Sequence, residues 1–125
     1  MTTDRASVEH WVAGYVVAWR TAGTAPLSDL FTADATYSPS PWASPLRGLA
    51  EIGPWWEAER DGPDEEFTLT HEVVAVDGST AVVRVAVEYP TSRWRDLWVM
   101  TFAPDGRATS FEEWPFAPAQ PDGHA

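Results

Sequence analysis

The chain has 125 residues, with 8 basic and 19 acidic side chains and a net charge of −11, which fits a single domain. Every basic side chain other than histidine is arginine and there is no cysteine, so disulfides, thiolate metal ligands and a cysteine nucleophile are excluded, and a nucleic-acid or anionic-membrane partner is disfavoured. No apolar run reaches the roughly 18 residues of a membrane span, and residues 1–9 lack the basic and apolar segments of a signal peptide, so a cytoplasmic protein is expected.

In chain order, the first predicted helix covers residues 4–22, where Val8, Trp11, Val12, Tyr15 and Trp19 form one apolar stripe. Gly23 ends it and Pro26 opens a short second helix through Phe31. Residues 35–37 read as a short strand, and the three prolines around Trp42 mark 38–45 as a loop. A third helix spans 48–60, with Gly53-Pro54 predicted to kink or restart it. Period-two alternation then predicts strands at 67–76, 80–89, 93–103 and 107–116. Asp77-Gly78, Pro90-Thr91-Ser92 and Pro104-Asp105-Gly106 separate them, as turns of an antiparallel meander do. Residues 1–117 are taken as one domain and 118–125, with Pro118, Pro121 and Gly123, as a loose tail. Helices followed by a meander give an α+β class.

Three strings resemble the nuclear-transport-factor-2-like superfamily, and within it the SnoaL-like polyketide cyclases and ketosteroid isomerases. They are Leu30–Tyr37 (LFTADATY), Leu46–Ile52 (LRGLAEI), and Asp96–Phe102 (DLWVMTF) leading through Gly106-Arg107 to Glu113-Trp114. The resemblance covers about residues 8–116. It implies a cone-shaped curved antiparallel sheet with three N-terminal helices on its concave face, enclosing an apolar pocket. It does not fix the activity, because the fold hosts isomerases, cyclases, hydrolases and binding modules.

Aligned on the resemblance, Trp94, Asp96, Trp98, Met100 and Phe102 point inward, with Phe111 and Glu113 on the last strand. Val82, Arg84, Ala86 and Glu88 are taken as the inward set of the 80–89 strand, and Phe67, Leu69, His71 and Val73 of the strand before it. Val83, Val85, Val87, Tyr89, Leu97 and Val99 would then form an outer apolar face, which predicts a homodimer through that face. The opposite register would put the valines against the helices and leave Arg84 and Glu88 on the surface; a one-residue slip exchanges the two.

Ionisable groups in an apolar cone are candidates for acid–base chemistry. The candidate catalytic residues are Glu113, Asp96, His71, Tyr15 and Arg84; the candidate substrate contacts are Trp42, Trp98, Glu88, Met100 and Phe111. Ketosteroid isomerases use a carboxylate base with a tyrosine and a protonated aspartic acid; here Tyr15 matches the tyrosine, Ser38-Pro39-Ser40 stands at the base and Trp98 at the aspartic acid. By resemblance, His71 and Glu113 stand nearest to the cyclases' histidine and acid. Arg84 with Glu88 or Asp96 and Glu113 stands nearest to the arginine and acids of limonene-epoxide hydrolases. The histidines, at 10, 71 and 124, make no metal-binding spacing, and no phosphate loop or dinucleotide fingerprint occurs, so no metal and no cofactor is expected. Two functions remain: a cofactor-free isomerase, cyclase or hydrolase acting on a small apolar molecule, or a ligand-binding or accessory domain without catalysis.

Overall fold

Asp4 starts the first helix by a reciprocal cap. Its carboxylate accepts a hydrogen bond from the Ser7 amide at 2.8 Å, and Ser7 Oγ accepts one from the Asp4 amide at 2.9 Å. In the computed structural model, which describes residues 2–120, helix α1 runs Arg5–Trp19 and buries the predicted stripe from Val8 to Trp19. Then come α2 (Leu27–Leu30), β1 (Phe31–Ser38), β2 (Leu46–Arg47) and α3 (Gly48–Glu59). The meander follows as β3 (Thr68–Asp77), β4 (Thr80–Glu88), β5 (Arg93–Phe102) and β6 (Ala108–Phe116). The predicted tail falls largely at 121–125, outside the described residues. No helix among the described residues is long and apolar enough to cross a membrane.

Gly53-Pro54 does not interrupt α3. Proline removes a bond to the carbonyl four residues back; that residue, Ala50, is exposed, so water can take the place of the lost donor. At the start of α3, Gly48 has φ +73, and a Cβ there would lie 3.0 Å from the Ala33 carbonyl. Only glycine meets both conditions without strain.

One sheet holds all six strands in the order β2-β1-β6-β5-β4-β3. It is antiparallel except where β1 lies parallel to β6, with Tyr37 beside Phe111. The expected wholly antiparallel sheet is corrected at that pair: β1 reaches β6 through α3 and the entire meander, and a connection of that length permits either direction. The core lies between the helices and one sheet face. Trp11, Phe31, Trp98, Phe102 and Phe111 interlock there with ring centroids 5.1–6.3 Å apart, in the offset and edge-on contacts that aromatic quadrupoles favour.

The β4 register is the second correction. Val83 pairs with Trp98, Val85 with Asp96 and Val87 with Trp94. Directly opposed residues share a face, so these valines face the core, while Val82, Arg84, Ala86 and Glu88 face outward. The cause is turn parity. Four residues, 89–92, join β4 to β5, so even-numbered positions on β5 meet odd-numbered positions on β4. A bulge between Val73 and Ala75 restores the phase on β3, where His71 lies opposite Val85. Arg84 is exposed and ion-paired with Glu72 at 2.6 Å, and Glu88 sits opposite Arg93. The outer face therefore lacks Val83, Val85 and Val87; its exposed apolar residues include Leu97, Trp114 and Phe116.

Candidate functional site

The helices do not cover the whole concave face. At the end where β4, β5 and β6 meet the α3–β3 loop, they leave a cavity of ≈ 740 Å³, within the range of small-molecule pockets. Its floor is Tyr15 of α1, Tyr37 of β1 and Trp98 of β5, all buried. Trp19, Trp55, Tyr89 and Trp94 form the walls, and Pro39, Asp61, Glu66 and residues 90–92 the rim.

Two carboxyl groups enter this aromatic space from neighbouring strands. Asp96 lies opposite Pro115, and Trp98 lies opposite Glu113. Asp96 and Glu113 are thus diagonal neighbours on one face, a spacing at which long side chains still interact. Asp96 is 8% exposed, and its Oδ1 has no hydrogen-bond partner; neither does the buried indole N–H of Trp98. Glu113 Oε1 accepts a 2.6 Å hydrogen bond from the Tyr37 hydroxyl.

Burial drives the titration of this group of residues. Glu113 is pushed up to about 8, first by loss of hydration and further by the neighbouring Asp96 charge, against the opposing hydrogen bond from Tyr37. Asp96 is also raised, by burial, with the nearby Glu113 and Trp98 side chains acting in the opposite direction. Glu113, at about 8, therefore holds its proton at neutral pH, beside the second carboxyl group of Asp96. Tyr15 and Tyr37 are held well above the usual phenol range, chiefly by burial, and Tyr89 is raised to about 12 for the same reason. All three phenols remain protonated.

The family model described as SnoaL-like domain matches residues 8–111. The chain belongs to the SnoaL-like domain family. Among solved structures, the epoxide hydrolase/cyclase-like enzyme SalBIII, named for a role in pyran ring formation in the polyether salinomycin, has a TM-score of 0.71 at 20% identity, covering 90% of this chain and 93% of its own. A candidate polyketide cyclase from Sinorhizobium meliloti has a TM-score of 0.65 at 25% identity, covering 86% and 97%. A steroid delta-isomerase from Pseudomonas aeruginosa has a TM-score of 0.61 at 19% identity, covering 89% and 77%. No curated protein sequence matches the chain.

Of the residues singled out in the sequence, this SnoaL-like domain brings Tyr15, Asp96, Trp98 and Glu113 together in the cavity. Arg84 and Glu88 are on the outer face, for the register reason given above, and no arginine among the described residues lines the cavity beside the two acids. His71 points inward on β3 but pairs with Glu9 of α1 and does not line the cavity. Trp42 is 97% exposed and does not line the cavity. Met100 and Phe111 are core residues further along their strands, beneath the floor. Phe111 stacks on Tyr37 with ring centroids 4.7 Å apart and so helps to aim the phenol at Glu113.

Sequence reasoning missed Tyr37, Trp55 and Glu65. Glu65 accepts hydrogen bonds from the Trp19 indole at 3.2 Å and from the Asp61 amide at 2.6 Å, which fixes one side of the rim. Tyr37 carried a usable signal, since Phe31, Ala35 and Tyr37 are all apolar, but its partner depends on the parallel register with β6.

Proposed function

We propose that the cavity binds a small, largely apolar molecule and that Asp96 and Glu113 move protons on it without a cofactor. The observation that carries this reading is the pair of carboxyl groups on adjacent strands in an aromatic cavity, with Glu113 raised to about 8 by burial. A protonated Glu113 can give its proton to a substrate oxygen, whether carbonyl, epoxide or leaving hydroxyl. An ionised Asp96 can take a proton from an activated C–H, a hydroxyl or a water molecule. The Tyr37 hydrogen bond stabilises the Glu113 carboxylate formed by proton loss. One proton enters Asp96 and one leaves Glu113, and transfer between the two acids resets the pair. Isomerisation, ring closure and epoxide opening all fit this scheme, and the names of the structural neighbours support that range of chemistry. The phenols are too weakly acidic to serve as bases.

The test is turnover of a panel of polycyclic enones and terpenoid or polyether epoxides between pH 6 and 9. Conversion should fall above pH 8 as Glu113 loses its proton, and Glu113→Gln should lower kcat by about 100-fold or more. Saturable binding without conversion of any panel member would leave a ligand-binding domain instead. A second copy pairing across the outer face at Leu97, Trp114 and Phe116 belongs to the same reading. Sedimentation velocity should then give twice the 13.8 kDa chain mass, and Trp114→Glu should return the monomer.

A further inference from the structure

The charge of the cavity is one-sided. Glu59, Asp61, Glu65, Glu66, Asp96 and Glu113 line it, and no arginine or histidine among the described residues does. Nearby arginines are engaged elsewhere. Arg60 is fixed on backbone carbonyls, Arg20 lies over the Phe67 ring with its guanidinium carbon 4.4 Å from the centroid, and Arg93 and Arg95 are exposed on the opposite face of β5. All three tyrosines of the chain and four of its eight tryptophans line the same space.

These features select one kind of ligand. A concave site walled by low-dielectric rings and bearing one sign of charge concentrates ions of the other sign. Indole and phenol faces present the negative side of their quadrupole to a cation. Asp96 lines the cavity, and its Oδ1 is a buried acceptor without a protein partner, whereas buried acceptors are ordinarily paired. A protonated amine supplies both the donor and the charge that this atom lacks.

We propose that the ligand of the cavity is an organic ammonium: an apolar ring system carrying a protonated amine, with the nitrogen against Asp96 and the rings against Trp19, Trp55 and Trp94. This specifies the substrate class of the proposed function and rests on the cavity being its ligand site. The neutral substrates considered above then become analogues that lack the anchoring charge.

A charge series on one rigid body tests the proposal: 1-aminoadamantane (cationic at pH 7), 1-adamantanol and adamantane-1-carboxylate, titrated against tryptophan fluorescence. The ammonium should bind at least about tenfold more tightly than the alcohol and the carboxylate least. Added salt should narrow the gap, and Asp96→Asn should reduce the preference for the cation several-fold. Equal or tighter binding of the alcohol, or no saturable binding of the ammonium, would overturn the proposal. The wild-type series decides even if the Asp96→Asn protein does not fold. Alcohol binding without a cation preference removes the ammonium assignment and leaves the acid–base reading. Ammonium binding with no turnover of any amine-bearing substrate does the reverse.

Discussion

Arg60→Ala should lower the unfolding free energy by about 3–4 kcal/mol, the range for losing a buried, charged hydrogen-bond donor with several partners. Arg60 is 5% exposed. Its Nη1 donates to the carbonyls of Ala18, Trp19 and Thr21 at 3.2, 2.8 and 2.7 Å, and its Nη2 to Gly23 at 3.1 Å and Glu57 at 2.5 Å. The last carbonyls of a helix have no partner inside it, and here one guanidinium from the end of α3 serves the last turn of α1 and the bend after it. Alanine would leave the buried Trp19 carbonyl and the half-buried Thr21 carbonyl without this partner and would remove the packed stem. Arg60→Lys should recover only part of the loss, because an ammonium cannot span four carbonyls as a planar fork does. Urea unfolding at pH 7 measures both variants. A loss below about 1 kcal/mol for alanine would mean that the end of α1 is held by packing alone.

Glu113→Gln should stabilise the protein at pH 9 and leave it nearly unchanged at pH 5. In the folded chain Glu113 titrates at about 8; in the unfolded chain a glutamate titrates near 4.3. Between those values the folded state holds the extra proton, so raising the pH favours unfolding. The favourable contribution is complete below about pH 4 and is lost as the pH passes through 8. Partial access of water to the carboxyl and its link to Asp96 reduce the full shift to about 2–3 kcal/mol. Glutamine keeps an acceptor for Tyr37 without a titrating proton. Acids remote from the cavity titrate alike in both proteins, so the difference between the two melting curves, taken from pH 5 to pH 9, reports Glu113 together with its neighbour Asp96. Parallel curves would place the Glu113 carboxyl in water and remove the basis for the acid–base reading.

Those two residues differ in how far the sequence reveals them. Glu113 was legible because alternation along 107–116 and the family-like string before it give the β6 face directly. Asp96, Trp98 and Tyr15 were legible in the same way, each from the period of its own element. Arg60 was not. It ends a helix beside the acidic loop 61–66 and reads as a solvated charge, and only the arrival of the α1 C-terminus beside it makes burial favourable. Arg84 shows the opposite failure: it was read as buried and lies in water. Its own strand alternates as expected, but the phase of β4 relative to β5 depends on the parity of the turn at 89–92, and its phase relative to β3 depends on a bulge. Trp42 was placed at the cavity mouth on chemistry alone, and a proline-rich loop has no period from which to read direction.

The amino-acid order alone determined the helices, the four meander strands, the SnoaL-like resemblance and the two faces of each strand, because these follow from spacings of two and 3.6 residues within continuous segments. Tertiary structure decided which face of β4 turns inward, that β1 lies parallel to β6 and brings Tyr37 to Glu113, and that the cavity gathers six acidic side chains with no basic one among the described residues. Each of these depends on pairing between segments far apart in the chain, and such pairing is set by turn parity, bulges and packing, which residue spacing within one segment does not encode.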